Sequence, residues 1–350
     1  MFRLRRSRHE SSAGAAVAEP PRGDEFDGST EELLAEIRRL GETNRSDRDP
    51  ATERRLLTLR HLAGICLLDA APPDPAYPAP AFERLPEGDG LPDIARADLT
   101  PELLRAGILR DGCLLVRGLV PRDAALAFAQ GIDRAFDERE RGEAGEPGAA
   151  GWYEEFTPHP RFGAVNERPW IKEGGGVLAI DSPVLSFEML ELFESAGVPR
   201  LVAGYLGEPA LVSVQKTTLR KAEPTVGGAW HQDGAFMGKV RSLNLWLALS
   251  RCGDVAPGLD IVPRRLDGLA PTQTDEAMLS YQVSQRKAED AAGDVPIIRP
   301  IFEPGDALFF DELFLHQTGS DPSMPNPRFA IENWFFGGSA FPGEFAPLAV

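Results

Sequence analysis

The chain has 350 residues, with 37 Lys and Arg against 54 Asp and Glu, giving a formal net charge of −17. So acidic a balance excludes functions built on broad phosphate neutralisation, such as non-specific DNA or RNA binding, and the 42% hydrophobic content excludes a wholly disordered chain. The 35 Gly and 31 Pro call for many turns, which suits a β-rich architecture better than a helical bundle.

Three cysteines, Cys66, Cys113 and Cys252, are too few and too far apart for a disulfide framework or a Cys-type zinc cluster, and read as free thiols. No apolar stretch reaches the ~18 residues of a membrane-spanning helix. The opening MFRLRRSRHESS is basic but has no apolar core, so it does not read as a secretory signal, and a cytoplasmic protein is expected.

Residues 1–28 lack periodicity and read as a disordered tail. Ser29 and Glu32 fit a capping box, and Leu33, Leu34, Ile37 and Leu40 form an apolar stripe that Gly41 is expected to close. A second helix starts at Asp49 and Pro50. The Pro-rich stretch 69–92 reads as an extended connector, so residues 29–92 form a helical extension and the main domain occupies 93–350. That domain opens with a helix capped by Thr100 and Pro101, a strand over Cys113–Val120 and a helix over Pro121–Phe136. Residues 141–177 read as a long loop carrying Trp152, Tyr153, Phe156 and Trp170, a candidate lid. Helices follow from Ser182–Pro183 and over Val198–Tyr205. Strands are then expected over Ala210–Arg220, Ser242–Ser250, Leu259–Val262, Pro296–Phe302, Asp306–Asp311 and Arg328–Phe336. In Ser242–Ser250 leucines recur at 243, 245, 247 and 249, a period of two. Short strands separated by turns predict a mainly β fold with flanking helices, a sandwich or jelly roll. No phosphate-binding glycine motif stands between a strand and a helix.

Five histidines narrow the search for chemistry. His9 lies in the tail, His61 in an apolar helix and His159 on the loop, each with a structural or solvated role expected. His231 and Asp233 form His-x-Asp between a Gly227–Gly228 turn and Gly234, and on extended backbone residues i and i+2 project to the same side. His316 follows a strand introduced by the Pro304–Gly305 turn. Two imidazoles and one carboxylate make the facial triad of non-haem iron(II), whereas structural zinc closes its shell with a fourth protein ligand. Arg328, at the start of the last strand, could clamp a carboxylate bidentately; alone it would read as a surface ion pair.

With WHQDG at Trp230–Gly234, the strand SLNLWLALS, PGDALFF at Pro304–Phe310, then His316 and Arg328, residues from about 95 to 340 resemble the phytanoyl-CoA dioxygenase family of iron(II)- and 2-oxoglutarate-dependent oxygenases. The resemblance implies a double-stranded β-helix core with helices packed on one sheet. It implies that His231, Asp233 and His316 bind iron and that Arg328 and Thr318 bind the distal carboxylate of 2-oxoglutarate. Trp246 and Gln215 would wall the same pocket. The implied reaction uses dioxygen, releases succinate and CO2, and hydroxylates or otherwise oxidises a small molecule, with ascorbate as a possible reductant. Related halogenases replace the carboxylate ligand with a small residue, so an intact Asp233 implies hydroxylation or a related oxidation. One departure is IVPRRLDG at Ile261–Gly268, where the family often has Pro-Gly-Ser-His; Arg264 and Arg265 there point to an altered pocket or an anionic substrate. The competing reading is a jelly-roll metal- or ligand-binding protein without turnover.

Overall fold

The computed structural model describes residues 26–88 and 90–350; most of the expected tail, His9 included, lies outside the described residues. Helix α1 (Thr30–Ser46) starts with the capping box: Ser29 Oγ accepts from the Glu32 N–H at 3.2 Å, and Glu32 Oε2 accepts from the Ser29 N–H at 2.7 Å. Such a cap contributes about 0.5–2 kcal/mol. The helix does not stop at Gly41. It continues one turn, because buried Asn44 donates from Nδ2 to Glu53 Oε1 at 3.1 Å and fixes the last turn against the next helix. Helix α2 (Pro50–Asp69) begins as expected, with Asp49 accepting from the Ala51 and Thr52 N–H groups. Its Gly64 approaches the C-terminal strand so closely that a Cβ there would lie 2.9 Å from Leu348 Cα.

After the connector come β1 (Asp93–Ala95), α3 (Pro101–Asp111), β2 (Cys113–Arg117) and α4 (Arg122–Glu143). Helix α4 outruns its expected end at Phe136 because the Asp/Glu/Arg run beyond it is rich in good helix formers. The expected loop is thereby shortened, and α5 (Arg168–Glu173) and β3 (Gly176–Leu178) occupy its end. Trp152 and Phe156 pack on the main core, while Trp170 is 54% exposed. Helices α6 (Pro183–Ser195) and α7 (Val198–Leu206) lead into β4 (Ala210–Ala222), β5 (Trp230–His231) and α8 (Gly234–Met237). Then follow β6 (Ser242–Ala248), β7 (Gly258–Ile261), β8 (Gln282–Val283), α9 (Gln285–Ala292), β9 (Ala307–Phe310), β10 (His316–Gly319), β11 (Arg328–Gly337) and β12 (Pro347–Ala349).

The strands form two sheets. The larger runs β1-β2-β9-β6-β11-β4-β12, with β3 also paired to β4, and the smaller runs β7-β10-β5-β8. From β4 onward the chain passes from one sheet to the other and back: β4, β6, β9 and β11 belong to the large sheet, and β5, β7 and β10 to the small one. This alternating winding makes the fold a double-stranded β-helix, mainly β, with helices packed on the large sheet and α9 against the small one. The expected strand at Pro296–Phe302 survives only as isolated bridges, Ile298 to Ile261 and Phe302 to Cys252. Pro296 and Pro300 lack the N–H donors that a continuous ladder needs.

The period-two pattern of β6 sorts its two faces. Leu243, Leu245 and Leu247 join the core between the large sheet and the helices. Trp246 and Ala248 join the core between the two sheets, with Leu308, Phe310, Ala330, Trp334 and Phe336. Each fully buried Leu or Phe contributes roughly 1.5–3 kcal/mol, so both layers hold β6 in register. A third cluster ties α1 and α2 to Phe187 and Ala349. All three cysteines are free thiols. Among the described residues no helix is long and apolar enough to cross a membrane.

Candidate metal centre and anion pocket

Strands β5 and β10 of the small sheet place His231 directly opposite His316, as Cα partners in the antiparallel register. Between His231 and Asp233, Gln232 points the other way and is 1% exposed. Its Nε2 donates to Leu313 O at 2.6 Å and Gly268 O at 3.1 Å, and its Oε1 accepts from the Ala270 N–H at 2.7 Å. Three hydrogen bonds on the middle residue thus hold the backbone that aims its two neighbours inward. Trp230, buried, donates from Nε1 to Gln285 Oε1 at 2.7 Å and secures the strand from the other side. Asp233 stands at the start of α8, where the Gly234 N–H donates to Glu312 O at 2.9 Å.

One donor atom each from His231, Asp233 and His316 lies within 4.8 Å of the others, and His316 Nε2 is 3.8 Å from Asp233 Oδ2. His231 Nδ1 lies 2.7 Å from Ala229 O and His316 Nδ1 lies 3.1 Å from Phe314 O. A carbonyl can only accept, so both Nδ1 atoms carry the proton and both Nε2 lone pairs are free for a cation. Burial, and then the neighbouring His231, push the His316 pKa down to about 4 although Asp233 opposes them, so that this imidazole is neutral, the form that binds metal. Two imidazoles and a carboxylate on one side of a centre, with no thiolate among them, suit iron(II) and leave positions open for other ligands.

Arg328 opens β11 and is 1% exposed. Its Nη1 donates to Gly258 O at 3.0 Å, its Nη2 lies 3.3 Å from Glu332 Oε1, and its Nε is buried with no partner among the described residues. The guanidinium carbon is 5.4 Å from the Trp246 ring centroid, and Trp246 Nε1 is a second buried donor without an acceptor. Buried donors in native proteins are nearly always satisfied, so two orphans beside one cation fit an acceptor-only guest such as a carboxylate. Thr318 follows His316 on β10 with no hydrogen bond to its hydroxyl among the described residues, and Gly228 packs so tightly on it that a Cβ would meet Thr318 N at 2.7 Å.

Gln215 is not brought to this group. It accepts from the Ala346 N–H at 3.0 Å and from Ser213 Oγ at 3.3 Å, which ties it to the chain leading into β12. Arg264 reaches out to Ala292 O at 3.1 Å and Asp294, and Arg265 pairs with Asp311. His61 is 3% exposed, with Nδ1 2.7 Å from Pro347 O and Nε2 accepting from the His159 N–H at 2.9 Å, so both remaining described histidines serve structure.

Glu332 and Lys216 share the barrel interior but were not singled out in the sequence. Glu332 is gripped by Arg220, whose Nη2 donates at 2.7 Å. Burial alone would raise its pKa, but the charge and hydrogen bonds of Arg220, and then the charge of Arg328, hold it down at about 2. Lys216 lies 3.8 Å from Asp233 Oδ1. Their signal was periodicity: Lys216, Thr218 and Arg220 alternate on β4, and Thr218 is the register partner of Glu332.

No protein-family model and no curated protein matches this sequence. Solved structures similar to the chain include EctD from S. alaskensis with 2-oxoglutarate and 5-hydroxyectoine, at 14% identity over 75% of this chain and 87% of that one, with a TM-score of 0.47. AviO1 from Streptomyces viridochromogenes Tue57 is similar at 17% identity over 70% and 98%, with a TM-score of 0.45. The non-heme alpha ketoglutarate dependent epimerase SnoN from nogalamycin biosynthesis gives 20% identity over 67% and 82%, with a TM-score of 0.40.

Proposed function

We propose that the protein is an iron(II)- and 2-oxoglutarate-dependent dioxygenase that hydroxylates a small molecule. The observation that carries the reading is one barrel interior holding both a His231–Asp233–His316 triad and a buried Arg328 whose Nε lacks an acceptor. When bound, iron(II) and 2-oxoglutarate supply the oxidising chemistry, consuming dioxygen, releasing succinate and CO2 and leaving a hydroxyl on the substrate. The residues supply geometry. His231, Asp233 and His316 hold the cation on one side; Arg328, with Trp246 Nε1 and the Thr318 hydroxyl, receives the distal carboxylate; and the apolar interior around Phe310 and Trp334 excludes water. Asp233 supplies the carboxylate ligand that hydroxylation requires.

The test is conversion of 2-oxoglutarate to succinate by the purified protein without added substrate. Slow, iron(II)-dependent turnover is expected, and Asp233→Asn abolishes it together with iron binding. A protein that binds neither iron nor 2-oxoglutarate refutes the proposal.

A further inference from the structure

Lys216 points into the barrel from β4 and makes no hydrogen bond among the described residues, although its side chain is only 17% exposed. Its Nζ lies 3.8 Å from Asp233 Oδ1, beyond hydrogen-bond reach, and 3.8 Å from the centroid of the Phe236 ring. Phe236 stacks on His231 with centroids 6.4 Å apart, and Tyr281 stands edge-on to both rings at 6.3 and 5.7 Å. Leu269, which lies against Gly234, is 49% exposed, and Met278 and Leu279, shortly before Tyr281 in the chain, are 83% and 49% exposed.

A largely buried ammonium is costly unless an anion or hydrogen-bond acceptor meets it. The neighbouring charges do not meet that need. Asp233 is a metal ligand in the reading above, Glu332 is taken by Arg220 and Arg328, and Glu167 makes no ion pair with Lys216. The neighbouring cations are engaged elsewhere, Arg220 with Glu332 and Arg328 with the Gly258 carbonyl and Glu332. The partner that fits an ammonium with no hydrogen bond among the described residues, lying on the Phe236 ring, is an anionic acceptor that arrives with an apolar body.

We propose that Lys216 anchors the carboxylate of an organic acid whose apolar or aromatic part lies on Phe236 and Tyr281. The proposal rests on the dioxygenase reading, which takes Asp233 as a metal ligand and so leaves Lys216 without a partner among the described residues. The test is calorimetric titration of the full chain, saturated with Mn(II) and 2-oxoglutarate, with 3-phenylpropionate and with its neutral twin 3-phenylpropanamide. The acid is expected to bind at least about tenfold more tightly than the amide. Lys216→Met reduces that ratio to within about twofold, Lys216→Arg keeps it, and Mn(II) uptake is unchanged in both; Lys216→Gln replaces the Met variant if that does not fold. Absence of an acid preference in the unaltered protein, or its persistence in the Met variant, overturns the proposal. So does loss of Mn(II) in that variant, which would make Lys216 a positioning residue for Asp233. If the unaltered protein takes up neither Mn(II) nor 2-oxoglutarate, the dioxygenase reading fails, and the same two titrations on metal-free protein decide Lys216 by themselves.

Discussion

Replacing Arg328 with Met separates a ligand clamp from a structural cation. The residue is buried, yet its only close protein hydrogen bond is to Gly258 O at 3.0 Å; the Glu332 contact is 3.3 Å and Nε has no partner. In the variant Glu332 remains held by Arg220 through contacts of 2.7, 3.2 and 3.2 Å. Orphaning the Gly258 carbonyl costs about 1–3 kcal/mol, while removing a guanidinium from the interior returns a desolvation penalty of several kcal/mol. These offset, so the ligand-free variant is expected within about 2 kcal/mol of the original in stability, in either direction. Affinity for 2-oxoglutarate is another matter. Two charged hydrogen bonds to a carboxylate at about 1.5–3 kcal/mol each amount to a loss of roughly 10²- to 10⁴-fold. Thermal melting with and without 2-oxoglutarate reads both quantities. At a concentration 100 times its Kd the ligand stabilises the unaltered protein by about 2.7 kcal/mol, and the same concentration should leave the variant unmoved. A ligand-free variant that loses more than about 4 kcal/mol while keeping its response to 2-oxoglutarate refutes the reasoning and makes Arg328 a structural counter-ion for Glu332.

Glu332→Gln tests the interior charge group by its pH dependence. A carboxylate held near 2 against an ordinary value of 4.5 stabilises the fold above pH 4.5 and loses that contribution as the pH falls toward 2. Urea titrations should therefore show a flattened acid limb between pH 4.5 and 2 in the variant, and an unaltered limb would contradict the pairing. Gly305 has φ +98° and a Cβ there would meet Val120 O at 2.2 Å, so Gly305→Ala is expected to cost about 2–5 kcal/mol in denaturant unfolding. Gly142, in helix α4 with open space around it, gives the opposite sign: Gly142→Ala should stabilise by about 0.5–1 kcal/mol, measured the same way.

Local chemistry made much of this legible in the amino-acid order. Ser29 with Glu32, Asp49 with Pro50 and Ser182 with Pro183 announce helix starts because capping is decided within four residues. His231 and Asp233 converge because extended backbone puts i and i+2 on one side. The pairing of His316 with His231 could only be suspected, since it depends on a register across 85 residues. Lys216 and Glu332 were missed for the complementary reason. A charged residue alternating on a strand looks the same whether its face meets water or a barrel interior, and only the closing of the second sheet decides. Gln215 sits beside Lys216 where the pairing of β4 with β11 shifts register, and it turns to Ser213 and Ala346 instead, which is why nearness in sequence misled.

The two ends of the described chain are clasped together. His61 Nδ1 meets Pro347 O, and Arg60 donates to Ala349 O across 289 residues of separation. Helix α2 is made long before the backbone it packs on through Gly64, at Pro347 and Leu348. Until β12 has been made, α2 can pack on α1 and α6 but not on this strand, so the clasp closes only after the other strands of the barrel exist. It also means that removing Pro347–Ala349 takes away this part of the extension's seat while leaving every proposed iron ligand in the chain.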